Sequence, residues 1–240
     1  MRKKMRMLAA AAALVLGHAV AGAETVSFTE LTGLTGGTSQ GTGVYRADLS
    51  TVGLGSILSI SIGDNSSGLG GAPGAFSGFD LDAIKLSTTE CASAACVQGL
   101  AGLGVFDFGA GTLFTPGAQR APVDPQLFGT GLGGTTVDNT VATLGSFDAE
   151  STTGPSAFGF ISLGDNGSIS FNLLSAVSTA GLFLYIGEVG NNGEVAAGTV
   201  RVSDNQVPLP SSLALAVLGL AILLVGRSVG RSHGAAPPSA

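Results

Sequence analysis

Ser168-Ile-Ser-Phe-Asn-Leu173 alternates polar and apolar residues one by one, and that period of two decides the fold class. Successive side chains of an extended strand point to opposite faces. Ile169, Phe171 and Leu173 are therefore expected in a core, with Ser168, Ser170 and Asn172 facing water. Leu58-Ser-Ile-Ser-Ile62 repeats the pattern. Leu182-Phe-Leu-Tyr-Ile186 is apolar on both faces, which fits a central strand or one covered on both sides. Shorter candidates run over 44–49, 79–86, 105–108, 158–163 and 199–202. No apolar run between 24 and 206 has helical period and length, so an all-β fold is expected, a β-sandwich or jelly roll.

Turn chemistry separates these runs. Gly164-Asp-Asn-Gly167 lies between two of them and is expected to close a hairpin, and Asn192-Gly193 carries the type I′ signal. The glycine-rich stretches 33–43, 68–78 and 129–134 read as surface loops. None has the lysine or the strand-to-helix setting of a phosphate-binding loop. Ile60-Ser-Ile-Gly-Asp-Asn-Ser-Ser67 echoes Ile161-Ser-Leu-Gly-Asp-Asn-Gly-Ser168, either as reused hairpin chemistry or as a trace of duplicated half-domains.

Charge is unevenly distributed. All sixteen acids lie between Glu24 and Asp204, where Arg46, Lys85, Arg120 and Arg201 are the only bases, so that segment carries a net charge of −12. Nucleic acid is excluded as its partner, because neutralising phosphates needs a basic patch. Cys91 and Cys96 are the only cysteines, at a spacing that suits neither a zinc site nor a C-x2-C redox pair. In an oxidising compartment they are expected to form one local disulfide closing a small surface loop, the alternative being two free thiols.

The two ends differ from what lies between. Residues 1–23 have a basic opening (Arg2, Lys3, Lys4, Arg6), an apolar run over 7–16 and small residues Ala21-Gly22-Ala23 at an A-x-A cleavage position, the layout of a secretory signal peptide. Cleavage after Ala23 would make Glu24 the mature N-terminus; an uncleaved anchor is the alternative. Residues 211–226 form an uncharged Leu/Ala/Gly run followed by Arg227 and Arg231. Sixteen residues at about 1.5 Å each cover about 24 Å of a hydrocarbon core of about 30 Å, and Leu209 and arginine snorkelling supply part of the remainder. This reads as one transmembrane helix with a basic stop, which puts 232–240 in the cytoplasm and 24–206 outside. A buried core helix is the alternative, and it would need a polar face that this run lacks.

Val207-Pro208-Leu209-Pro210-Ser211, running directly into that helix and its arginines, resembles the PEP-CTERM sorting tail of Gram-negative bacteria. Leu209 stands where glutamate is usual, and the stretch after Arg231 is longer than usual. The resemblance covers 207–231 and is silent on the rest of the chain. It implies an exosortase-like processing enzyme as partner, a membrane-anchored precursor released or displayed at the cell surface, and association with exopolysaccharide or a biofilm matrix. In physical terms the two prolines hold an extended segment poor in hydrogen bonds outside the membrane, open to binding as a strand or serving as a rigid spacer.

Catalysis is tested by subtraction. His18 and His233 are the only histidines and both lie outside 24–206, which removes Ser-His-Asp, Cys-His and His-ligated metal chemistry from that segment. Asp80 and Asp82 at i, i+2 would share a strand face, as a carboxylate pair of a glycosidase requires. A sugar site usually adds stacking aromatics, and the chain has no Trp, with Tyr45 and Tyr185 as its only tyrosines. Calcium is the one cofactor left open, with Asp64, Asp80, Asp82 and Asp165 as candidate ligands beside Asn65 and Asn166. The expected function is a non-catalytic exported surface or matrix protein; the alternatives are a calcium-dependent glycan- or protein-binding module and a secreted carbohydrate hydrolase.

Overall fold

A computed structural model describes residues 22–37, 41–65, 72–150, 157–192 and 200–208. The hydrophobic run of the expected signal peptide, Ala21, and everything from Leu209 onward lie outside them, including Pro210, Ser211, the expected membrane run, Arg227 and Arg231. Ten strands are described: β1 (Ala23–Thr25), β2 (Thr29–Glu30), β3 (Thr42–Asp48), β4 (Ser56–Gly63), β5 (Asp80–Ser87), β6 (Thr112–Thr115), β7 (Ile161–Ser162), β8 (Ser168–Ser178), β9 (Phe183–Val189) and β10 (Val200–Ser203). Two short helices join them, α1 (Ala94–Gly99) and α2 (Asn139–Ala142).

The two alternating stretches pair with each other. Ile60 opposes Phe171 and Ile62 opposes Ile169 in the antiparallel β4–β8 ladder at the heart of the first sheet, whose order is β1-β10-β4-β8-β6. β9, apolar on both faces, lies at the centre of the second sheet, β2-β3-β9-β5-β7. Every named pairing is antiparallel, and the described residues form two antiparallel sheets with few helices, an all-β arrangement. Ile60, Ile62, Ile169, Phe171 and Leu173 of the first sheet meet Leu81, Ile84, Leu86, Leu184 and Ile186 of the second in one buried cluster. Removing that apolar area from water is the main force holding the layers together.

Connectivity departs from the sequence reading. Among the described strands, β2 and β3 are the only consecutive ones that pair, and from β3 to β10 successive described strands alternate between the two sheets. The Gly164–Gly167 turn therefore closes no hairpin. It carries the chain from β7 in the second sheet to β8 in the first. Gly164 has φ 76°, and a Cβ there would stand 2.7 Å from the backbone of Gly117, so two stretches of main chain cross where only glycine fits. Gly193 of the other expected turn lies outside the described residues.

The 105–108 candidate is not a strand. Phe106 and Phe108 stack on each other, centroids 5.3 Å apart, and both meet Phe171 edge-on, so their i, i+2 spacing closes the end of the core instead. β6 is the edge strand on that side of the first sheet.

Candidate functional site

The first and last described strands meet. β1 pairs only with β10, with Ala23 opposite Ser203 and Thr25 opposite Arg201. Gly22 N–H donates to the Asp204 carboxylate at 3.1 Å, and Asp204 N–H returns to Gly22 C=O at 3.4 Å. Ala23, the residue of the expected signal cleavage, is thus the first residue of an edge strand laid on the last strand of the domain.

Beyond β10 the chain crosses the outer face of the first sheet. Ser59 Oγ donates to Asn205 C=O at 2.6 Å, and Gln206 Nε2 donates to Leu173 C=O at 3.2 Å. Val207 N–H donates to Asn172 Oδ1 at 2.7 Å while Asn172 Nδ2 donates to Val207 C=O at 2.9 Å. The Asn172 amide satisfies both main-chain groups of Val207, as a neighbouring strand would. The sequence placed Asn172 facing water. It does point outward, yet it is buried, because Val207 and its neighbours cover it. Just past Asn172 the ladder breaks: Ile57 opposes Val177 while Ser59 opposes Asn172, so 173–176 bulge away from β4 and leave Leu173 C=O free for Gln206. No local signal marks Asn172, because its partner lies 35 residues away.

The outer face of the second sheet is covered differently. Cys91 and Cys96 are joined by a disulfide across the start of α1, where Ser93 Oγ caps the helix by accepting from Cys96 N–H. The loop is not wholly on the surface as expected. Cys91 is fully buried against Val44, Ala83 and Tyr185, because Tyr185 O–H accepts from Cys91 N–H at 2.8 Å and donates to Thr89 C=O at 2.8 Å, pinning the loop to β9. Arg46 adds Glu90 at 2.6 Å and Cys91 C=O at 2.9 Å. Lys85 Nζ donates to Val97 C=O and Leu100 C=O at the end of α1 and lies over the Phe147 ring.

The four candidate calcium ligands divide between two places. Asp64 and Asp165 come together where the echoed turns abut, but they do different work. Asp64 accepts Phe79 N–H at 3.0 Å and Asn166 N–H at 2.8 Å, and Asp165 pairs with Arg120 at 3.3 Å. Asp80 accepts Ser162 Oγ across the β5–β7 pair. Asp82, fully buried, accepts Asp148 N–H at 3.2 Å and Ala149 N–H at 3.1 Å with Thr42 beside it, tying the segment after α2 to β5. Burial pushes its carboxyl up to about 7 against the pull of those hydrogen bonds. Among the described residues no three His, Cys, Asp or Glu side chains converge as metal ligands.

One cleft of about 170 Å³ opens between Lys85, Leu103, Phe106 and Phe108. It is smaller than the 300–1,000 Å³ of common ligand pockets, and neither Asp80 nor Asp82 lines it. The chain matches no family model, no curated protein and no solved structure.

Proposed function

We propose that the chain is a non-catalytic exported protein of the cell surface or extracellular matrix, a β-sandwich carried through its C-terminal tail and sorted by an exosortase-like enzyme. One observation supports this most: the start of the domain at Gly22 is hydrogen-bonded to Asp204, where its last strand ends, and each lies near a segment whose sequence reads as membrane-directed. The start of the domain and the end of its last strand therefore lie side by side, an arrangement that suits a precursor held in one membrane by a segment beyond each. Under this reading the domain stands outside the inner membrane, with exopolysaccharide as the matrix partner that the tail resemblance implies. The test is the intact mass of the mature protein in cells with and without an exosortase, alongside fractionation between membrane and medium. Loss of the tail only when the enzyme is present supports sorting. An uncut tail in the inner membrane under both conditions leaves a single-pass anchored protein and removes the sorting reading.

A further inference from the structure

Asn205 and Gln206 are exposed to solvent, and exposure alone would mark them as the place where a protease trims the domain from its tail. Hydrogen bonding argues otherwise. A protease that binds its substrate as an extended strand needs free main-chain N–H and C=O groups on both sides of the bond it cuts. Asn205 C=O is occupied by Ser59, both main-chain groups of Val207 are occupied by Asn172, and Pro208 has no N–H to offer.

We propose that Asn172 is a clamp that withholds 205–207 from strand-binding proteases, so that such enzymes are kept off the chain's exit as far as Pro208. The position of the cut is then fixed by the folded domain as well as by the motif. The inference builds on the reading of 207–211 as a processed segment, but its geometry belongs to the domain, and its test needs no sorting enzyme.

Full-length protein in detergent micelles is measured in two ways. Amide exchange at Val207 is followed by NMR, and the protease-resistant core left by proteinase K is weighed intact. In the wild type the Val207 amide is expected to exchange at least about tenfold more slowly than in Asn172→Ala. The resistant core should end at or after Pro208 in the wild type and be trimmed back to 204–207 in the variant. Asn172→Asp keeps the acceptor for Val207 N–H but loses the donor to its C=O, so intermediate exchange is expected. If Asn172→Ala fails to fold, Ser59→Ala takes its place. It frees only Asn205 C=O and should admit cutting next to Asn205 while Val207 stays protected. Wild-type exchange at Val207 as fast as in Asn172→Ala, or a wild-type core trimmed short of Val207, overturns the clamp. An uncut tail in cells would instead count against sorting and leave these measurements as they stand.

Discussion

The two sheets bury their inner faces alike and treat their outer faces oppositely. Outside the first sheet, Ser61 and Ser170 share a hydroxyl hydrogen bond at 2.8 Å, half-exposed, and among the described residues the exit segment lies across the strands. Outside the second, the disulfide loop, α1 and the segment after α2 bury Tyr185, Lys85 and Asp82. β8 accordingly alternates apolar with polar, while β9 is apolar on both sides. Burying polar groups is favourable only when they find partners, and on the second sheet Tyr185, Lys85 and Asp82 each do so in the segments that cover them.

Substitutions on the two outer faces put that contrast to the test. Tyr185→Ala removes a fully buried ring and leaves Cys91 N–H and Thr89 C=O without their partner; a loss of about 3–5 kcal/mol is expected in urea unfolding. A loss below about 1 kcal/mol would mean that the outer layer adds little to the sheet.

Asp82 gives the next largest effect, and its sign is distinctive. Its folded-state value of about 7 lies above the ordinary 3.8, so the folded state holds the proton more tightly than the unfolded chain does. Its favourable contribution is complete below about pH 4 and is lost as pH rises toward 7. Lys85 and Asp148 are the charged groups facing it, and they act in opposite directions. Relative to Asp82→Asn, the wild type should lose on the order of 3 kcal/mol between pH 4 and pH 7. A stability difference that stays flat across that range would show the carboxyl ionised and well solvated.

Reducing the disulfide should cost at most about 2 kcal/mol, the value for so short a closed loop, with Tyr185 still holding Cys91 N–H. Complete unfolding on reduction would mean that the disulfide, and not Tyr185, secures the loop. Smallest of all is Ser61→Ala on the first sheet, expected to change stability by less than about 0.5 kcal/mol. A loss comparable to that of Tyr185→Ala would erase the distinction between the two faces.

Strand identity was legible wherever a period of two or a doubly apolar run existed: β4, β8 and β9 lie where their patterns put them. β6 was not legible, because Thr112-Leu-Phe-Thr115 does not alternate, and β1 and β2 are too short to show a period. The Gly164–Gly167 turn was recognised as a turn but assigned to a hairpin, since turn residues state that the chain reverses and not which sheet receives it. Of the candidate site, sequence marked the Val207–Pro208 segment and the Ala23 end but not where the fold puts them, Ala23 beside Ser203 of β10 at one edge of the first sheet and Val207 over Asn172 of β8. The role of Asn172 was hidden as well. A polar residue at an outward position reads as solvated until the segment that covers it is known.

In topological terms the folded chain is almost a closed ring. Gly22 and Asp204 are already hydrogen-bonded, so a short peptide joining that edge would complete the circle without stretching a strand. The ring could then be opened at a different point, such as the exposed turn bearing Leu132, to give a circular permutant with the same two layers.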